Sequence, residues 1–335
     1  MKTLKTLSIA ILLGTAAVSV PASAEELSVA TFVPPQHHSN SIMFKWFGEE
    51  LDKRSGGSLT MKLYPAGQLG AGPVQQYKRV VEGVADIVFG VAAYTPSIFP
   101  KTMLVIPPGK SNNSAEATER LLAVFDTHLA SEYKDVKMLG ITTAAGIGIS
   151  ATKDVSTMDG LKGAKIVPYA ALTSPIIEAM GAVPVQMPVT EMYTGLSTGT
   201  IDGTYATYNN MTPPWNFWDI SKFFVENVPV QHAVIFVLMN KERYEGLSAD
   251  HKAIIDELAG EPLSMKGAES FDGADAKSLS MMEATSDKGY ERVRVSDEER
   301  AKMDAAVAEG LKVIYADYAE RGIDDAEAIY QAINQ

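Results

Sequence analysis

Two stretches far apart in the chain carry the same punctuation. Gln75 to Glu82 has helical spacing and passes through Gly83-Val-Ala-Asp86 into the β-rich Ile87-Val-Phe-Gly90. Glu191 to Ser197 does the same and passes through Gly199-Thr-Ile-Asp202 into Gly203-Thr-Tyr-Ala-Thr207. The glycine suits the left-handed residue that closes a helix. The aspartate can accept backbone N–H groups, which fixes where the next strand starts. Ahead of the first copy, Leu27–Val33 reads as a strand and Leu59–Leu63 as another. Between them Ser39 or Asn40 caps a helix with apolar positions Ile42, Met43, Trp46, Phe47 and Leu51. A helix crossing between strands implies a parallel sheet. One such unit in each half predicts two α/β lobes of related design; the alternative is that any α/β protein reuses such turns.

Further strands are expected at Met138–Thr142, Ile147–Ala151, Val183–Met187 and Ala233–Met239. The last is an almost unbroken apolar run, suited to burial on both faces. From Ser248 onward the chain turns helical. Ser296-Asp-Glu-Glu299 has the capping-box pattern and opens a helix running to about Glu320. With no low-complexity linker, the lobes are expected to be joined by crossing strands.

At the N-terminus Lys2 and Lys5 precede the apolar run Leu7–Val20 and the small-residue site Pro21-Ala22-Ser23-Ala24. That order predicts a secretory signal peptide over 1–24, cleaved after Ala24. The run of 14 residues is short of the roughly 20 that a spanning helix needs. The chain has no cysteine, so an exported fold must rest on its core. The net charge of −12 makes nucleic acid and direct insertion into an anionic membrane poor expectations.

Enzyme motifs fail one by one. His37-His38 follows a strand and precedes a helix, where α/β sheets gather ligands, but no third group at metal spacing lies nearby. Gly109-Lys110-Ser111 ends like a phosphate loop, yet the first glycine of that motif falls on Leu104. Gly146-Ile-Gly-Ile-Ser150 lacks a serine between its glycines. No metal and no cofactor are expected. An exported α/β enzyme acting on a small metabolite stays as the reading from another class.

Five segments in order resemble the extracytoplasmic solute-binding proteins of TRAP transporters, the tripartite ATP-independent periplasmic family. They are "YPAGQLG" (Tyr64–Gly70), "VVEGVADIVFG" (Val80–Gly90), "MDGLKGAKI" (Met158–Ile166), "MGAVPVQMPVTEMYTGLSTGTIDG" (Met180–Gly203) and "FVLMNKERYEGLS" (Phe236–Ser248). The resemblance implies an α/β bilobal periplasmic-binding-protein fold (type II-like) with crossing strands and a long bracing helix. It also implies a periplasmic receptor that closes on a small-molecule solute and hands it to the membrane permease subunits; a sensor is the alternative partner. Lobe 1 is expected over 25–149 plus about 231–275, and lobe 2 over 150–230 plus about 276–335.

The resemblance also exposes a departure. Most members carry an arginine after the "LKG-x-KI" strand start, where its fork grips the solute carboxylate. Here that place falls on Ile166 or Val167, and after "IDG" the usual polar residues are replaced by Thr204, Tyr205 and Ala206. The expected contacts are Gln36, His37, His38, Tyr94, Tyr169, Tyr205, Tyr208, Asn209 and Trp215, chosen for their place at strand ends and hinge-side loops. Without the arginine, and with aromatic faces that attract ammonium groups, the expected ligand is a small amine, an amino alcohol or a neutral polar solute, with Glu191 or Asp202 supplying charge. The alternative is an organic acid held by Lys101, Lys110 or His38.

Overall fold

The computed structural model describes residues 24–285 and 287–335; residues 1–23 of the expected signal peptide lie outside the described residues. Nine strands among them form one sheet: β1 (Glu25–Ala30), β2 (Leu59–Tyr64), β3 (Ile87–Val91), β4 (Val136–Ala151), β5 (Lys165–Val167), β6 (Val183–Pro184), β7 (Gly203–Ala206), β8 (Phe223–Asn240) and β9 (Glu291–Arg294). The order is β2-β1-β3-β8-β4-β7-β5-β6, with β9 alongside β8. β1 pairs in parallel with β2 and β3, and β5 pairs in parallel with β6 and β7. Between these two parallel groups lie β4 and β8, antiparallel to each other from Val136↔Asn240 to Ala151↔Phe223. The two expected strands at 138–142 and 147–151 are thus one strand of 16 residues, and the expected strand at 233–239 lengthens to 18. Both serve two lobes.

The repeated glycine–aspartate unit works the same way in each lobe. Gly83 and Gly199 both hold φ +69°, a left-handed backbone that costs glycine little. Asp86 Oδ2 accepts the Ser28 N–H at 2.7 Å, and Asp202 Oδ2 accepts the Lys165 N–H at 2.8 Å. Each carboxylate therefore sets the register of the neighbouring parallel strand, β1 or β5, as well as opening its own.

Other expectations shift. β1 ends at Ala30, and proline at 184 stops β6 after two residues. β5 falls at the strand start of the LKG-x-KI segment, and β9 is a short addition with no pattern of its own. The first helix runs Lys45–Ser55 behind a π-turn at Ser39–Phe44, and neither Ser39 nor Asn40 caps it. Asn40 instead donates to the Pro34 carbonyl at 2.9 Å, folding the loop after β1 back on itself. Ser296 does cap the helix Asp297–Glu320, accepting the Glu299 N–H. The Glu299 carboxylate turns away to take the Met158 N–H at 2.7 Å.

A brace helix, Glu261–Ala284, lies across β4 and ties both lobes. Its Asp272 accepts the N–H groups of Ser114 and Ala115 at 2.8 and 2.9 Å, the start of the helix Ser114–Val124. One turn on, Asp275 Oδ1 accepts both the N–H and the side-chain N–H of Asn209, each at 2.8 Å, at the start of the short helix Tyr208–Met211. The C-terminal helix Ala326–Ile333 packs on the helices Ser114–Val124 and Asp297–Glu320. No helix among the described residues is long and apolar enough to cross a membrane.

Asp202→Ala is expected to cost about 1–3 kcal/mol, the penalty of leaving a partly buried N–H without its acceptor. Asp202→Asn, which keeps an acceptor oxygen, is expected to cost less. Urea unfolding of both variants checks this; equal stability of Asp202→Ala and the parent protein would contradict the register role.

Candidate functional site

A cavity of about 370 Å³ lies between the lobes, within the size range of small-molecule sites. Lobe 1 supplies Phe32, His37, Phe89 and Tyr94; lobe 2 supplies Tyr169, Tyr205, Asn209 and Trp215; β4 and β8 supply Ala144 and Ala233; the brace helix supplies Phe271. Among the described residues, no Lys, Arg, Asp or Glu lines it.

The expected contact residues separate into two groups. His37, Tyr94, Tyr169, Tyr205, Asn209 and Trp215 line the cavity. Gln36 is exposed, turned out by the loop that buries His37. His38 lies behind the wall, its ring 4.4 Å from that of Phe271 and its Nδ1 3.1 Å from Ser270 Oγ. Tyr208 lines a separate hollow beside Asp272 and Asp275, and its hydroxyl donates to Glu226 at 2.9 Å. The charges expected to help are elsewhere. Asp202 is committed to β5, Lys101 pairs with Asp325 at 2.7 Å, and Glu191 and Lys110 are exposed.

The place of the missing arginine is now concrete. Ile166 and Val167 are fully buried and belong to hydrophobic clusters on opposite faces of the sheet. The first residues past β5 to reach the cavity are Pro168 and Tyr169. Tyr169 is held by its backbone and its ring. Its N–H donates to Gln231 Oε1 at 3.2 Å, and the same oxygen takes the Thr173 hydroxyl at 3.1 Å. The ring lies against Gly146 of β4, where any Cβ would collide with it.

Each polar group on the wall is neutral. His37 Nδ1 accepts the Ser39 N–H at 3.2 Å, which leaves the ring proton on Nε2. Burial, with the adjacent His38 ring second, holds the His37 pKa well below its ordinary value. The imidazole is therefore an uncharged donor. Burial pushes the Tyr94 phenol up to about 12 and raises Tyr169 and Tyr205 as well, so all three stay protonated. Across the cleft the Val189 N–H donates to Tyr94 Oη at 3.0 Å, joining lobe 1 to the first turn of the lobe 2 helix Val189–Thr198.

Several wall residues escaped the sequence reading. Phe32 stands at the end of the first predicted strand, a place that marks ligand sites. Pro188 and Val189 open a helix in the family-like segment. Phe271 had no local signal, because only the packing of the brace helix decides which of its residues faces the cavity.

The family model described as bacterial extracellular solute-binding protein, family 7 (DctP), matches residues 29–318. The chain belongs to that family. It is a solute receptor of the TRAP type, not an enzyme. It is similar to a marine-metagenome TRAP solute-binding protein described as specific for aromatic acid ligands and solved with 3-hydroxybenzoate: 28% identity, 93% of this chain and 97% of that one, TM-score 0.85. It is also similar to a TRAP solute-binding protein from Rhodoferax ferrireducens solved with copurified benzoate: 25% identity, 93% and 97% coverage, TM-score 0.85. A curated relative, the 2,3-diketo-L-gulonate-binding periplasmic protein of Escherichia coli, is 26% identical over 74% of this chain and 76% of its own length.

Asp275 supplies a pH test beside the site. Burial, the largest cause, pushes its carboxyl up to about 7, with Asp272 adding to it, while the Asn209 and Thr207 donors pull it down. The native state therefore holds this proton more tightly than the unfolded chain, whose aspartates titrate near ~3.9. The resulting stability is complete below that value and is lost as pH rises through about 7. His37, His38 and His232, all depressed by burial, act oppositely and lose stability as pH falls through about 6.5. Asp275→Asn removes only the first effect. Relative to the parent protein it is expected to gain stability between pH 5 and pH 8 in thermal unfolding; a constant difference across that range would contradict the assignment.

Proposed function

We propose that this receptor works in the periplasm and captures a small aromatic solute bearing one hydrogen-bond acceptor group, a monocarboxylate above all, for delivery to TRAP permease subunits. The observation that carries the reading is the wall itself: a ring of aromatic and aliphatic side chains with only neutral polar groups among them. An apolar ring gains from burial there, at about 25 cal/mol per Å² of surface removed from water. The acceptor group meets donors in the His37 Nε2–H, the tyrosine hydroxyls and the Asn210 amide, while both amide hydrogens of Asn209 are taken by Thr207 and Asp275.

This revises the expected ligand. The aromatic faces do suit an ammonium, but no carboxylate lines the wall to offset its desolvation. A di- or tricarboxylate fares worse, since several buried charges would have no cationic partner. A single carboxylate sharing its charge over several N–H and O–H donors is the least costly anion here, because hydrogen bonds to ionised acceptors are stronger than neutral ones. The aromatic-acid ligands of the two similar TRAP proteins support the same class.

Isothermal titration with benzoate, 3-hydroxybenzoate, succinate and choline tests the reading. The aromatic monocarboxylates are expected to bind at least about tenfold more tightly than the other two, a difference of about 1.4 kcal/mol. Tighter binding of choline or succinate would overturn it.

A further inference from the structure

We propose that Tyr94 of lobe 1 and Tyr169 of lobe 2 form a two-phenol clamp that holds the solute's acceptor group in place of a guanidinium, and that Tyr94 thereby couples recognition to closure. The inference rests on the aromatic-acceptor reading of the cavity and goes one step further, to the atoms that read the acceptor.

Four observations converge. Both tyrosines line the cavity, from opposite lobes. Tyr94 Oη already accepts the Val189 N–H from the facing lobe. Its own hydrogen has no protein acceptor among the described residues, so it is left to donate into the cavity. Tyr169 Oη has no protein partner among the described residues, although its ring is fixed against Gly146 and its backbone against Gln231.

A hydroxyl that accepts one hydrogen bond becomes a better donor of the next, and a chain of such bonds strengthens along its length. The Val189 N–H sits in the first turn of a ten-residue helix, where the backbone dipole favours negative charge ahead of it. An anionic acceptor on the Tyr94 hydrogen therefore strengthens the bond that joins the lobes. Closing the lobes brings Tyr169 to the same acceptor. Recognition and closure become one cooperative event, with no cation buried.

The experiment compares Tyr94→Phe and Tyr169→Phe with the parent protein, using benzoate and its uncharged, acceptor-free analogue toluene as probes. Phenylalanine keeps the ring and removes only the hydroxyl. Each variant is expected to lose about 10- to 100-fold in benzoate affinity, the worth of a hydrogen bond to a charged group, with toluene binding changed by less than about threefold. Tyr94→Phe is also expected to release benzoate faster and to show less contraction on benzoate addition in small-angle scattering. Equal losses for benzoate and toluene would mean that the residues only shape the wall, and would overturn the clamp. So would unchanged benzoate affinity in both variants. Failure of the parent protein itself to bind benzoate would instead overturn the reading of the cavity, and the clamp with it.

Discussion

The antiparallel ladder between β4 and β8 is the constraint on which the rest of the molecule depends. Among the described residues only these two strands pass through both lobes, and their pairing runs from Val136↔Asn240 to Ala151↔Phe223 with a register shift between Gly146 and Gly148. A bulge adds local twist and breaks the regularity of a ladder. Its glycines also make room: Phe224 and Tyr169 occupy the space that side chains at 148 and 146 would fill. Hinge closure around a solute needs such an irregular point between elements that themselves stay paired. The cavity lies beside this segment: Ala144 and Ala233 line it, and Gly146 and Gln231 seat Tyr169.

An uncharged cavity has a physical logic. A buried guanidinium must itself be desolvated, and it strengthens binding only when the solute completes its hydrogen bonds. Replacing it by neutral donors lowers that cost in the empty state and shifts selectivity toward solutes with a large apolar part and a single polar end. Ile166 and Val167, where the resemblance puts the arginine, are packed into the hydrophobic clusters and do not line the cavity.

Much of the architecture was legible in the chain. The glycine–aspartate units announced both lobes, and their aspartates do fix strand starts. Their carboxylates nevertheless reach across to β1 and β5, a non-local partner that local pattern does not reveal. The continuity of β4 was hidden because Thr143-Ala-Ala-Gly146, small residues ending in a glycine, separates the two expected strands; Gly146 reads as a breaker in one dimension and stands at a bulge in three. At the site, strand-end position singled out His37, Tyr94 and Tyr169. It misled for Gln36 and His38, because one-residue steps in a folded-back loop reverse which side chain faces inward. Phe271 and Val189 became wall residues only through packing between distant segments.

The most direct test of the account is the identity of the solute that remains on the protein after purification from its native host, read by mass spectrometry of the denatured complex. An aromatic compound with a single carboxylate or comparable acceptor group is the result expected of a cavity without charged walls. An aliphatic dicarboxylate or a quaternary amine would contradict it.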